Sequence, residues 1–589
     1  MTIKHIVRIS LPGALTAMAL AAAVASAQEF HPNRANLTFN HFYNYNEMVD
    51  ALRELADAYP QLLTLNSIGK STEERDIWLM TINNPETGSD RDKPAMYIDG
   101  NVHGNEVQGS EVCLYTIWHL TKSYGVVDHL TKLLDERAFY IIPSVNPDGR
   151  AHWFDNPNTA HASRSGKQPT DNDHDGLFDE DGYDDLDGDG QITSMWKKDP
   201  LGRFRRSQKD PRLFERVERD EKGDYDWFGF EGIDNDGDGE VNEDGPGGYD
   251  MNRNWPTDWQ PGYIERGSGD YPLCFPETAA IAAFILDHPN IAAVQSYHNA
   301  GGMILRGPGT KERVEAYPRD DTRVYDEIAK KGERILPFYK YMVLWKDLYT
   351  VHGGFVNWTA EGLGIFSFTN ELWTNAQLFG DPDAGWGSRK DRLEFGDLLL
   401  FKELMTPLKP YDHPTYGEVL IGGAGKYASR VPPLFMLEEL CHRNFAFTMY
   451  HADQMPRLAF SRVEVKLLGA GIWQVTVEVM NDAAIPTISA LAAKRKIGAR
   501  DQVTLSPGGR SDAKVLASGV LETWHQSSMK LTERHPERIW LDEGIGSHGR
   551  RVVRWLVRGK GTLELKYSSQ KGGTIARQVT LEASASRSP

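Results

Sequence analysis

At 589 residues the chain is long enough for two to four domains, and its 40% hydrophobic content supports packed cores. With 83 acidic against 65 basic residues it carries −18, which argues against a nucleic-acid partner, because phosphate binding needs a basic surface. Three cysteines, Cys113, Cys274 and Cys441, exclude a disulfide scaffold and match no thiolate metal spacing; which pair, if any, bridges is not readable.

The chain opens with Lys4 and Arg8, an apolar run from Ile9 to Val24, and Ala25-Ser26-Ala27 before Gln28. That pattern is a secretory signal over residues 1–27, cut after Ala27, and it places the mature protein in a secreted or periplasmic setting. The alternative, a membrane anchor, needs a longer apolar run, and no later stretch is apolar enough to span a bilayer.

Asn46 to Ala58 reads as an amphipathic helix ending at Tyr59-Pro60, and Leu62–Ile68 and Asp76–Ile82 as strands joined through Gly69-Lys70-Ser71. Ala95 to Ile98 is a buried strand, Gly100 and Gly104 loosen the backbone after it, and Glu106 to Leu120 is a helix. His103 and Glu106 therefore stand three residues apart at a strand-to-helix turn. An imidazole and a carboxylate at that spacing can reach one small cation, and nitrogen and oxygen ligands suit zinc. An ordinary polar turn contains the same pair, so the reading needs a third ligand and catalytic groups from elsewhere. Cys113, on that helix, reads as a small core residue. A helix from Asp128 to Glu136 and a strand from Phe139 to Pro143 follow, running into the turn Asn146-Pro-Asp-Gly149. Strands and helices alternating in this way predict an α/β fold with a mixed, largely parallel sheet covered by helices. In such sheets sites lie at the carboxyl ends of strands, where His103 falls.

From Asp171 to Asp244 the composition turns acidic. Asp171-Asn-Asp173-His-Asp175-Gly176, Asp185-Leu-Asp187-Gly-Asp189-Gly190 and Asp234-Asn-Asp236-Gly-Asp238-Gly239 repeat one pattern. Alternate aspartates followed by glycine place oxygens around a hard cation. None has glutamate at the twelfth position, so these are not complete EF-hands, and a solvated acidic loop is the plain alternative. The expectation is structural Ca2+ ordering an insert, about residues 165–248, that would otherwise repel itself.

The α/β pattern resumes with a helix from Glu277 to Leu286 and a strand from Ile291 to Tyr297 ending at His298. A helix from Asp321 to Ile335, the segment Tyr349–Glu361, a strand from Ile365 to Phe368 leading to Glu371, and a helix near Arg392–Leu404 come next. Pro407, Pro410 and Pro414 mark a connection before a helical segment around Phe435–Tyr450. Residues 28–455 are thus read as one catalytic domain. From about Phe460 the pattern alternates with period two, as in Val463–Leu467, Trp473–Val479, Val552–Val557 and Thr562–Tyr567. That predicts a small all-β sandwich over residues 456–589, an appended structural or binding module.

His103 and Glu106, Asn252-Arg253 in Met-Asn-Arg-Asn-Trp, His298 in Ser-Tyr-His-Asn-Ala-Gly-Gly, Tyr349 in Leu-Tyr-Thr-Val-His-Gly-Gly and Glu371 in Phe-Thr-Asn-Glu-Leu form an ordered series. In that order the chain resembles the zinc carboxypeptidases of the carboxypeptidase A type, over roughly Asn40 to Trp373. The resemblance implies one catalytic Zn2+ on His103, Glu106 and His298, a set that leaves a fourth position for water. It implies Glu371 as general base, Arg253 as a fork for the substrate's terminal carboxylate with Asn252 adding a hydrogen bond, and Tyr349 as a mobile tyrosine closing over substrate. It also implies an oxyanion arginine after the Asn-Pro-Asp-Gly turn; Arg164 is the choice and Lys197 the fallback. Val356 matches the floor of the side-chain pocket, and an apolar floor disfavours a basic side chain. The expected function is a secreted, monomeric zinc carboxypeptidase acting on peptides or proteins with a free C-terminus and releasing neutral, apolar or aromatic residues. A zinc amidohydrolase acting on cell-wall peptides or N-acyl amino acids is the enzyme alternative. An inactive calcium-dependent binding protein is the other, and the full set of ligands and base argues against it.

Overall fold

The computed structural model describes residues 34–161, 169–171, 174–245, 248–381, 389–509 and 511–582. Residues 1–27, read above as a secretory signal, and Arg164 and Asp173 lie outside the described residues. A helix from Tyr45 to Ala58 leads in, its first turn closed by a capping box in which Asn44 and Glu47 satisfy each other's backbone amides. Strands β1 (Leu63–Lys70), β2 (Asp76–Ile82), β3 (Ala95–Gly100) and β4 (Ala138–Ile142) come next, with the helices Gln108–Lys122 and Asp128–Glu136 between β3 and β4. Strands β5 (Ser194–Lys198), β6 (Phe204–Arg206), β7 (Phe214–Arg216) and β8 (Tyr225–Phe230) belong to the acidic segment. The chain then returns through β9 (Ile291–Asn299), β10 (Met303–Arg306), β11 (Lys340–Val343) and β12 (Phe366–Leu372).

The main sheet has eight strands in the order β1-β2-β4-β3-β9-β12-β10-β11. β4, β3, β9 and β12 run parallel at its centre, while β1–β2, β2–β4 and β10–β12 pair antiparallel. Every residue of β3, β4 and β9 is buried, as expected for strands covered on both faces. One apolar layer, with Leu52, Val112, Ile117 and Ile328, fills one face, and a second, with Ile281, Val294, Phe355 and Trp358, fills the other. This is the expected α/β fold, a mixed and largely parallel sheet covered by helices.

Two expectations change. Asn146-Pro-Asp-Gly149 is not a free turn: Asn146 caps a helix from Pro147 to Asp155, its side chain accepting from the Gly149 amide, with Pro147 in the first turn where its missing N–H costs nothing. The proline-marked stretch after residue 404 is not a loose connection but a hairpin, β13 (Met405–His413) and β14 (Gly417–Ala424). β13 is the edge strand of a six-stranded antiparallel sheet ordered β13-β14-β5-β8-β6-β7, and an edge position tolerates Pro407 and Pro410. The acidic insert is therefore welded to a segment some two hundred residues further along the chain.

After a helix from Leu437 to Asp453, strands β15 (Leu458–Gly469), β16 (Ile472–Asn481), β17 (Asp501–Pro507), β18 (Lys514–Leu521), β19 (Arg538–Leu541), β20 (Arg550–Arg558), β21 (Gly561–Ser569) and β22 (Gly573–Leu581) form two four-stranded antiparallel sheets. Alternate residues such as Val475, Val477, Val553, Trp555, Leu563 and Leu565 fill the space between them. The sandwich is anchored to the α/β part. The Asp321 carboxylate accepts from the amides of Ala490 (2.8 Å) and Leu491 (2.9 Å), and Ala484, Ile485 and Leu491 join the apolar layer around Ile328. Among the described residues no helix is long and apolar enough to cross a membrane. The three cysteines are unbridged.

Candidate metal centre and active site

The site is built where β3 ends. Gly100 lies against Gly109, so closely that a Cβ on Gly100 would stand 2.7 Å from the Gly109 carbonyl carbon. Two glycines let the helix Gln108–Lys122 begin against the strand's end. Between them Asn101, in a left-handed conformation (φ 58°), turns the chain, and its buried amide donates to the carbonyls of His103 (2.9 Å) and Gly104 (3.1 Å). Ser144 donates to the Asn101 Oδ1 at 2.8 Å and holds that amide in place. His103 and Glu106 are thus fixed by a knot of hydrogen bonds rather than by the helix itself.

The third residue arrives on β9. His298 lies inside that strand, one position before its end, where the sequence reading had placed it just beyond. Glu106 Oε2 sits 3.1 Å from His103 Nδ1 and 3.0 Å from His298 Nδ1, all three side chains being buried. Within hydrogen-bond geometry, neither His103 Nδ1 nor Glu106 Oε2 has a partner. Buried, mutually facing ligand atoms of this kind, two imidazole nitrogens and a carboxylate oxygen within 4.8 Å of one another, fit a zinc ion. Burial disfavours the charged form of His103, but Glu106 and Asp250 outweigh it and lift the ring to about 9. Burial also opposes the charge of Glu106, yet the two histidines hold it well below the usual carboxylate range.

Register brings in Glu371. β12 runs parallel to β9 with Glu371 directly opposite His298. Burial, followed by the Glu106 charge, raises the Glu371 carboxyl, while His298, Arg430 and His103 pull the other way.

Asp250 was not singled out in the sequence, although it lies two residues before Asn252. Its Oδ1 accepts from His103 Nε2 at 3.0 Å and from the Asn252 amide at 2.8 Å, and its Oδ2 is 3.7 Å from the Arg253 guanidinium. A carboxylate on the outer nitrogen of a ligating histidine fixes the tautomer and increases the ring's basicity. Arg253 is buried and pairs with Glu265 at 3.1 Å. Burial works against its charge, but Asp250, the Tyr349 phenol and Glu265 raise it further, and Tyr349 hydrogen-bonds to it. Asn252 Oδ1 accepts from the Phe355 amide at 2.9 Å, which ties it to the first turn of the helix Phe355–Leu363. Tyr349 itself is 48% exposed and follows a single wide turn over Leu344–Leu348. Val356 is buried among Val351, Phe355 and Trp358.

Lys197 falls elsewhere, on β5, with its ammonium over the Phe228 ring. In its place another cation, Arg430, touches the cluster, donating to Glu106 Oε1 at 2.9 Å. In the insert, Asp185 and Asp187 gather with Glu231, and Asp234, Asp236 and Asp238 with one another, each group within 4.8 Å. Asp189 instead accepts from the Gln191 amide, and Asp175 from that of Leu177, closing their own loops. Asp171, from the first repeat, is not in either group. Glu231 lies just before the third repeat and far in sequence from Asp185 and Asp187, so the spacing of the second repeat gave no sign of it.

Two histidines and a glutamate thus converge at the carboxyl ends of the central strands of a mixed sheet, the arrangement of a metal-dependent hydrolase family. The profile described as zinc carboxypeptidase matches residues 48–384, and the chain belongs to that family. A second profile, a domain of unknown function, matches residues 457–580. Carboxypeptidase D of Homo sapiens is 36% identical over 109 residues, 18% of this chain and 8% of that protein. A zinc carboxypeptidase of Saccharothrix mutabilis subsp. capreolus is 35% identical over 109 residues, 18% of this chain and 25% of the other. The matched stretches thus span a quarter or less of these two relatives. Among solved structures, thrombin activatable fibrinolysis inhibitor aligns with a TM-score of 0.42 and 18% identity, covering 74% of this chain and 80% of that one. Carboxypeptidase A from Helicoverpa armigera aligns at 0.40 and 21%, covering 63% and 76%.

Proposed function

We propose that the chain is an exported zinc carboxypeptidase, residues 28–455 being the catalytic part and 456–589 an appended module. The observation that carries this reading is the convergence of His103, Glu106 and His298 on one point, with Glu371 beside them and Arg253 linked to them through Asp250. Zinc held by those three residues supplies Lewis-acid activation of water and of the peptide carbonyl. The chain's own groups do the rest. Arg253, with Asn252 and Tyr349, grips the substrate's terminal carboxylate, and a planar guanidinium suits that task. The apolar surroundings of Val356 receive a neutral side chain. Glu371 accepts the proton of the attacking water and hands it to the leaving amine as the C–N bond breaks. Burial and the Glu106 charge raise its carboxyl, the direction expected of a group that takes up a proton. Arg164 remains the sequence's choice for the oxyanion.

Wild type and Glu371→Gln, assayed on a blocked dipeptide with and without a zinc chelator, test the reading. Hydrolysis by wild type that is lost both in the variant, with zinc still bound, and on chelation is expected. Activity on N-acyl amino acids but not on peptides would move the reading to an amidohydrolase, and binding without turnover would move it to an inactive protein. We also take Asp185, Asp187 and Glu231, and Asp234, Asp236 and Asp238, as structural calcium ligands, supported by their clustering around shared points. Calcium raising the melting temperature of chelator-treated protein is expected; no shift would sink that assignment.

A further inference from the structure

Arg430 reaches the metal-ligand cluster from 324 residues beyond Glu106. It follows the insert hairpin: after β14 the chain crosses onto the helix Pro147–Asp155, where Lys426 donates to the Trp153 carbonyl at 3.0 Å. The Arg430 carbonyl is then clamped by two amide side chains, Gln108 Nε2 at 2.9 Å and Asn299 Nδ2 at 3.1 Å. Its backbone is left-handed (φ 68°), a conformation that glycine adopts more cheaply. An arginine kept there points to a use for its side chain.

That side chain turns back to the site. One terminal nitrogen donates to Glu106 Oε1 and to the Asn299 carbonyl. Glu106 therefore shows Oε2 to the two imidazoles and Oε1 to the arginine. The Arg430 Nε–H is buried and has no acceptor. A buried donor left unmatched is costly, which suits a position where a ligand supplies the missing acceptor. The same positive charge acts on Glu371. Its guanidinium thus touches the ligand carboxylate directly and is near enough to Glu371 to favour that carboxylate's charged form.

We propose that Arg430 is a catalytic residue that donates to the carbonyl oxygen of the scissile bond as that oxygen becomes negative. The inference rests on the carboxypeptidase reading and gives Arg430 the task that the resemblance places at Arg164. As the water oxygen bonds to the carbonyl carbon, the C=O π pair moves onto the oxygen facing Arg430 and the proton goes to Glu371. When the C–N bond breaks, that pair re-forms C=O and the proton passes from Glu371 to the amine nitrogen.

The experiment compares wild type, R430A, R430K and R164A. It measures zinc affinity by chelator competition, kcat and KM on a blocked dipeptide, and the affinity of a phosphonate peptide that mimics the charged tetrahedral carbon. Since Arg430 is already left-handed, neither substitution there adds backbone cost. R430A should keep zinc, lose about 10²–10³-fold in kcat, and lose phosphonate affinity in proportion. Methylguanidinium should restore part of the rate. R430K keeps the charge, so it carries the test if R430A does not fold; weakened phosphonate binding with zinc retained is expected there too. Unchanged phosphonate affinity in R430A or R430K, zinc affinity falling in step with kcat, or a phosphonate defect confined to R164A would each overturn the proposal. A wild type that neither hydrolyses peptides nor binds the phosphonate would sink the carboxypeptidase reading along with it. An active wild type with unaffected Arg430 variants sinks this inference alone.

Discussion

Replacing Asp250 by Asn tests whether the outer carboxylate tunes the metal site. The substitution keeps the volume and keeps an oxygen 2.8 Å from the Asn252 amide, so the backbone cap survives. What changes is the bond from His103 Nε2, 3.0 Å long and charge-assisted in wild type. A hydrogen bond to a charged group contributes about 1.5–3 kcal/mol and a neutral one about 0.5–1.5. The difference, about 1–1.5 kcal/mol, corresponds to a roughly tenfold weaker zinc complex. That falls at the lower edge of the about 10–100-fold usual for partners of metal-bound histidines. Competition against a chromophoric chelator at neutral pH measures it, with thermal melting of the metal-free protein as the control for folding. If zinc affinity is unchanged while kcat/KM collapses, the carboxylate acts through Arg253, 3.7 Å from its other oxygen, and the argument through His103 is wrong.

Arg253→Lys should raise KM for a blocked dipeptide by about tenfold or more, since one charge-assisted bond of about 1.5–3 kcal/mol is lost, and leave zinc affinity alone; an unchanged KM would move the carboxylate site elsewhere. Gly100→Ala forces a Cβ against the Gly109 backbone at 2.7 Å, so denaturant melts should show a loss of about 1–3 kcal/mol, with weaker zinc binding; a neutral result would mean the turn can shift. His451 is fully buried beside Phe368 and Phe447 with neither ring nitrogen paired, and burial pushes it down to about 3. Folded His451 stays neutral at pH 4 while the unfolded ring takes a proton below about 6.5, so stability falls with pH, by about 3 kcal/mol between pH 7 and pH 4. His451→Phe should flatten that part of the urea-melt profile; parallel profiles for the two proteins would refute it.

The parts of the site legible in the sequence are those whose geometry is local. His103 and Glu106 are three positions apart, and both sit where one strand stops and one helix starts, so their proximity follows from backbone turn chemistry. The strands carrying His298 and Glu371 could be read from their apolar runs, but not their neighbourhood, which depends on β9 and β12 pairing in one register. Asp250 was within reach, because an acidic residue two positions before the Asn-Arg pair is a visible signal. Arg430 and Glu231 were not, since each reaches its cluster by a tertiary route that no spacing encodes. The β13–β14 hairpin was hidden because prolines usually break strands, and only its edge position makes them tolerable.

The way the sandwich is fastened bears on how this protein can be taken apart. A cut before β15 would strip Ile485 and Leu491 from a layer they share with Ile328 and leave the Asp321 carboxylate without the two amides it caps. An excised α/β fragment would then be an unroofed building, soluble only as far as that opened layer resists self-association. Recombination that moved the α/β part to another gene would have to carry the β strands as luggage or rebuild the seat they occupy.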